Sequence, residues 1–346
     1  MRQSKLVFLL LFVVLGSMMG CMMSPLPRAA ETGDSALLNQ LIYQGVSVDQ
    51  RGGLTDETAL IISARHGHLG MVRTLLEAGA DINARSKHND TALSAATAYC
   101  HSNVALLLVD RGADVNVKNS GYGSTPLMLA ADCNDVDVVR TLMRSKANVN
   151  ESNKRGATAL ISAAMKGHVQ VAETLLAAGA DINRSGKQVE SPLFEAAQQG
   201  GDAMVKLLLD HGAEVNYRSI QNDWTPLMIA VAEKHESTSA LLIKAGANVN
   251  LPNEKGRTAL MFSALYGSVP ITDMLLRSGA NPNVIPNDEY GKTALMAAAS
   301  KGYKETVELL LKYNADPNLR DKKNKTALSN AEGDTKQLLI DAGGTL

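Results

Sequence analysis

Aromatic side chains make up only 4% of these 346 residues, and there is a single tryptophan, so the few positions that carry a ring are informative. Cysteine is nearly absent, occurring only as Cys21, Cys100 and Cys133, which rules out a disulfide framework holding the whole chain. Charge of one sign is also missing: the formal net charge is −1, which gives no support to a nucleic-acid binder. The longest apolar run, Leu6 to Leu15, is too short to span a bilayer comfortably. Motifs that carry chemistry are missing as well. There is no nucleophile elbow, no phosphate-cradling Gly loop and no HExxH pair. Neither catalysis nor a cofactor, a metal or a small-molecule substrate is therefore expected.

What the chain does have is repetition. A Thr or Ser recurs at Ser24, Thr58, Thr91, Thr125, Thr158, Ser191, Thr225, Thr258, Thr293 and Thr326, at intervals of 33 to 35 residues. Self-similarity at this period indicates stacked modules that bury apolar faces against their neighbours. Pro126, Pro192 and Pro226 follow the opening residue, at the first helical position, where a missing N–H costs nothing. Paired alanines such as Ala163 and Ala164 allow close helix approach, and Leu175–Leu176, Leu208–Leu209 and Leu310–Leu311 supply apolar faces. Gly79, Gly112, Gly179, Gly212, Gly246 and Gly279 end the second helices, where a positive φ is required.

The clearest repeat, Thr158 to Asn183, reads TALISAAMKGHVQVAETLLAAGADIN. Its short helix, Gly turn, second helix ending in LLxxGA and D-I-N exit resemble the ankyrin repeat, and the resemblance runs from Ser24 to Leu346. It implies an all-α solenoid of stacked helix-turn-helix repeats with projecting β-hairpin fingers, acting as a binding scaffold. The family usually has His three residues after the Thr. This chain has mostly apolar residues there, including Ile61, Met128, Ile161 and Met261, so packing is expected to replace a polar ladder. The inter-helix Gly is replaced by Cys100, Asn134 and Lys234, and the Cys and Lys turns are expected to be distorted, because such residues tolerate a left-handed backbone poorly. Both ends resemble caps, the last one shortened by four residues, about one helical turn.

Residues 1–20 resemble an export signal, with Arg2 and Lys5 ahead of the apolar stretch, and Met-Met-Gly-Cys resembles a bacterial lipobox. That resemblance implies cleavage before Cys21, its lipidation, a minimal linker over 21–23 and a repeat domain over 24–346. Met22 favours the outer membrane, so the expected location is the cell envelope, lipid-anchored and facing the periplasm. Exported proteins of this family resemble, in some cases, immunity or inhibitor proteins against a secreted toxin or lipase. Others resemble supports for envelope enzymes.

Two features are ambiguous. Cys100 and Cys133 lie in the same turn of adjacent repeats, and export permits a disulfide. Stacking at roughly 10 Å instead favours two thiols, since bridged Cα atoms need about 4.4–6.8 Å. The eight residues before each opening Thr or Ser form the fingers, which hold 16 basic and 10 acidic side chains. These charges are either simply solvated, or they steer an acidic partner or hold anionic lipid or cell-wall polymer.

Every interval longer than 33 residues places its insertion in a finger, and those fingers carry Leu54, Tyr122, Trp224 and Tyr290. Large amphipathic anchors on lengthened loops suit a docking edge. The end of the first helix adds Arg65, His66, Tyr99, Met165 and Tyr266. Together these are the candidate residues for binding a partner protein. The competing reading is that the rings pack against neighbouring repeats.

Overall fold

Most repeats start with a cap. In the structure, a computed structural model describing residues 24–346, the opening Thr or Ser takes an extended backbone and accepts, through Oγ, the N–H three residues on. These bonds measure 3.2–3.4 Å at Thr58, Thr91, Thr125, Thr158, Ser191, Thr225 and Thr293. One orphan donor of the helix N-terminus is thereby satisfied. Ser94 adds a reciprocal bond, accepting the Thr91 N–H on its Oγ at 2.8 Å. Ser24, Thr258 and Thr326 break the pattern: Ser24 Oγ donates to the Arg51 carbonyl at 2.7 Å, Thr326 Oγ1 to the Thr345 carbonyl, and the buried Thr258 hydroxyl has no partner. An inner helix of six to eight residues, for example Ala59–Arg65 or Ala259–Tyr266, leads through a tight turn to an outer helix of nine, such as Leu69–Glu77 or Val269–Arg277. Among the described residues only one finger pairs as strands, Arg51 with Thr58 and Gly52 with Glu57. The other fingers are tight turns.

The chain divides into two compact units. The N-terminal unit comprises residues 24–163 and 170–180 of the described chain; the C-terminal unit comprises 164–169 and 181–346. In each, inner helices of successive repeats pack on one another, as Ala59–Arg65 does on Ala92–Ala98 and Pro226–Ala232 on Ala259–Tyr266. Small residues such as Ala96 and Ala264 are fully buried at these contacts.

Several expectations need correction. The Cys100 and Lys234 turns are regular, with φ of 59° and 63° beside 57° at Asn134 and 68–72° at the glycines of equivalent turns. The repeat imposes the left-handed geometry on whatever residue is present, so the strain stays on that one residue. Lys146 and Asn314 do the same in place of the glycine ending an outer helix. Of each Leu pair only the first is buried: Leu175, Leu208 and Leu310 are wholly enclosed, whereas Leu176, Leu209 and Leu311 are half-exposed. Neighbours on a helix lie about 100° apart, and a nine-residue helix has one side facing the core. The shortened last repeat loses its inner helix, which shrinks to one 3-10 turn, Leu328–Asn330. The outer helix Thr335–Asp341 still buries Leu339 completely.

As expected, Ile61, Met128, Ile161 and Met261 pack in the core at the position where the family usually has His. A separate, exposed polar ladder runs along the exits. In the N-terminal unit, Oδ1 of Asp49, Asn83 and Asn116 accepts the N–H of Asp81, Asp114 and Asn148 in the next repeat, at 2.8–2.9 Å. In the C-terminal unit, Asn183, Asn216, Asn250, Asn283 and Asn318 repeat the bond at 2.7–2.8 Å. The G-A-D-x-N exit is therefore a joint between repeats as well as a turn.

The expected signal peptide over 1–20, the expected lipidation site Cys21 and the short linker lie outside the described residues. No helix among the described residues is long and apolar enough to cross a membrane.

Candidate protein-binding surfaces

The fingers of the N-terminal unit are fastened to one another by their own cations. Arg51 donates to the Arg85 carbonyl at 2.7 Å, Lys118 to that of Ser152 at 2.8 Å, and Lys154 to that of Ser120. Lys118 also pairs with Glu151 at 2.6 Å and, chiefly through that hydrogen bond, holds the Glu151 carboxyl below its usual range. Part of the positive charge read from the finger sequences is therefore spent on internal fastening rather than left at the surface. Backbone bonds add to it: the Ser120 N–H reaches the His88 carbonyl at 2.7 Å, and the Lys154 N–H reaches that of Tyr122 at 2.8 Å.

On this fixed edge, Leu54 is 70% exposed and Tyr122 66% exposed. The structure holds both out on separate fingers. Tyr99, also well exposed, sits at the other end of its inner helix, next to the turn carrying Cys100. Arg65 and His66 are engaged by carboxylates. Arg65 pairs with the buried Glu57, and His66 Nε2 lies 3.2 Å from Glu31 of the preceding repeat. His66 stacks on His68 at 5.7 Å; burial, then the charges of His66 and His101, push the His68 pKa below its usual value.

Cys100 and Cys133 form a disulfide with Cα atoms 5.6 Å apart, which overturns the expectation of separate thiols. That expectation used the spacing of helix axes. Cys133 instead caps its inner helix while Cys100 occupies the left-handed turn position one step further along, so the two turns bring their Cα atoms closer than the axes.

In the C-terminal unit the candidates are more enclosed. Met165 and Tyr266 are each 40% exposed, with the Lys234 ammonium 5.9 Å above the Tyr266 ring. Trp224 is half-buried against Phe262, ring centroids 4.4 Å apart, so packing claims part of its surface. Tyr290 is 42% exposed, and Lys323 lies 5.5 Å above its ring. Its finger is organised by Asp288, whose Oδ1 accepts the Tyr290 and Gly291 N–H groups at 2.9 and 2.7 Å while Oδ2 meets Arg257 at 2.6 Å. Burial of Asp288 opposes ionisation, but the Gly291 N–H, the Arg257 guanidinium and the Tyr290 N–H outweigh it and lower the pKa. A shallow cleft of about 90 Å³ lies between this finger and the inner helix Ala259–Tyr266, lined by Met261, Phe262, Leu265 and Tyr290.

Sequence reading found the exposed rings but not their supports, namely Phe262, Asp288 and Arg257. The signal available was weak. Phe262 lies four residues after Thr258, the same position as the buried Ile62 of the second repeat, and Asp288 lies two residues before a finger tyrosine. Among the described residues, no group of His, Cys, Asp and Glu side chains is arranged to hold a metal ion.

Comparison with known proteins gives one consistent answer. A family model for ankyrin repeats in three copies matches residues 26–119, 118–186, 185–253 and 233–321. An ankyrin repeat protein of Acanthamoeba polyphaga mimivirus is 39% identical over 64 residues, 18% of this chain and 40% of that protein. The chain thus spans less than half the length of this relative. The crystal structure of the human ASB11 ankyrin repeat domain superposes with a TM-score of 0.56 at 28% identity, covering 64% of this chain and all of that one.

Proposed function

The chain belongs to the ankyrin repeat family and is a protein-binding scaffold of that kind, and from that premise we propose that it works in a bacterial envelope, tethered to a membrane through lipidated Cys21 and capturing a partner protein with its fingers and inner helices. One observation carries the capture reading. Tyr122 is exposed on a finger whose backbone is bonded to both neighbouring fingers, so the finger is fixed by its backbone and most of the ring is left open to contact. A rigid, exposed tyrosine loses little conformational freedom on binding, which makes it an efficient interface anchor. Envelope residence is supported by the leader-like residues 1–20 and by the Cys100–Cys133 disulfide, a bond that reducing cytosol does not normally maintain. Within this role, neutralising a secreted toxin or lipase and supporting an envelope enzyme are two jobs one scaffold could perform. The identity of the captured protein decides between them.

The test is a pull-down from native envelope extract with the wild type and with a Tyr122→Ser/Tyr290→Ser variant. Substitution at exposed sites changes stability by about 0.5 kcal/mol or less, so the variant keeps its melting temperature and loses the partner. Recovery of no protein by the wild type would reject capture. Fractionation addresses the anchor: the wild type should pellet with membranes and a Cys21→Ala variant should not. A reading in which the fingers hold anionic lipid or wall polymer has less support, because several finger cations are already bound to neighbouring carbonyls.

A further inference from the structure

We propose that the cleft of the C-terminal unit between the inner helix Ala259–Tyr266 and the finger at 285–292 receives one large apolar side chain carried on an extended, acidic segment of a partner protein; this rests on the protein-capture reading above.

Three features point to that occupant. The first is size. A cleft of about 90 Å³ is far below the roughly 300–1,000 Å³ of small-molecule pockets, yet its floor of Met261, Phe262 and Leu265 and its Tyr290 wall are apolar. Such a site suits a single side chain presented by a chain that runs across it.

Charge is the second. The three C-terminal fingers hold seven basic and four acidic residues. Asp288 is neutralised by Arg257 at 2.6 Å and almost enclosed, so it does not face an incoming segment as a free charge. Lys292 lines the cleft, Lys255 lines an open depression of about 340 Å³ that adjoins it and shares Arg257, Asp288 and Tyr290 with it, and Lys323 stands over Tyr290. Glu289, in the lining of that adjoining depression, is its one exposed carboxylate. Acidic residues flanking the apolar anchor would meet the lysines, whereas basic ones would be repelled.

The third feature is preorganisation. The Asn287 N–H bonds the Lys255 carbonyl at 3.1 Å and the Lys322 N–H bonds that of Tyr290 at 2.9 Å, so the finger is pinned on both sides. Together with Asp288 on its own N–H groups, this sets the Tyr290 wall before any ligand arrives, which reduces the ordering cost of binding.

Trp224, the only tryptophan, stacks on the floor residue Phe262 and reports on the site. The experiment titrates the full chain with a fluorescein-labelled peptide bearing four glutamates on each side of a central phenylalanine. Anisotropy gives affinity, and unlabelled peptide with Trp224 emission gives location. Two control peptides replace the phenylalanine by alanine or the glutamates by lysine. We expect saturable binding with a shift in Trp224 emission, both controls at least about tenfold weaker, and a loss of about tenfold for Lys255→Glu/Lys292→Glu at unchanged melting temperature, a change of about 1.4 kcal/mol. Equal binding of the alanine control, binding of the lysine peptide, or no binding of the glutamate–phenylalanine peptide at millimolar concentration would overturn the proposal. The same double variant in the pull-down separates this outcome from failure of the capture reading. If the partner is still retained at full yield, this cleft is not its anchor while capture stands; if the wild type recovers nothing, capture itself fails.

Discussion

The two compact units use the same repeat and secure it differently. The N-terminal unit joins two adjacent turns covalently, through Cys100 and Cys133, and leaves Leu54, Tyr99 and Tyr122 standing out from the surface. The C-terminal unit has no cysteine and encloses part of its aromatic set instead. Trp224 lies on Phe262, and Phe194 meets Tyr217 edge-on at 6.3 Å, with the Tyr217 hydroxyl bonded to Glu190 at 2.7 Å. Burial, aided by Glu190, pushes the Tyr217 pKa up to about 12. The difference teaches that a repeat sets the backbone and leaves two choices open. A ring can serve the core or the surface, and a turn can be secured by a bond or by geometry alone.

The strongest way to break this comparison is to truncate the same repeat position in both units. Phe262→Ala should cost about 3–5 kcal/mol and Ile62→Ala about 2–5 kcal/mol in chemical denaturation, since both side chains are buried four residues after the opening Thr. Only Phe262→Ala should also shift Trp224 emission to the red, by releasing the ring that covers it. Unchanged emission would mean the stack does not hold the tryptophan.

Next in size is the disulfide. Reduction, or Cys133→Ser, should cost about 2–4 kcal/mol and lower hydrogen-exchange protection around the third and fourth repeats. The C-terminal unit should keep its protection. Equal loss in both units would show that the staple stabilises more than its own neighbourhood.

The smallest effect sharpens the ladder. Asn250 makes two good bonds, accepting the Asn281 N–H at 2.8 Å and donating to the Gly279 carbonyl at 2.9 Å. Asn116 makes one at 2.9 Å and a longer one, 3.4 Å, to the Lys146 carbonyl. Asn250→Ala should cost about 1–2 kcal/mol and Asn116→Ala closer to about 1 kcal/mol, at roughly 0.5–1.5 kcal/mol per bond. Matching losses measured by urea denaturation would mean the second bond contributes little.

Much of this was legible in the chain. The Thr and Ser spacing marks every repeat, because a cap, a proline at the first helical position and a left-handed glycine are local requirements met by local residues. The insertions that lengthen four fingers can be read the same way. What was not legible depends mostly on distances between repeats: the approach of Cys100 to Cys133, the bonds of the exit asparagines to the next repeat and the contact of Trp224 with Phe262. The regular left-handed turns at Cys100 and Lys234 are the local exception.

By itself, then, the sequence determined the module, its number and the places where loops grow, since each is a property of a short stretch of backbone. Only the tertiary structure decided which exposed ring is anchored, which cation is already used and which thiols meet. Those outcomes depend on atoms about 33 residues apart along the chain, and their separation in space is set by stacking. No local residue pattern encodes that separation.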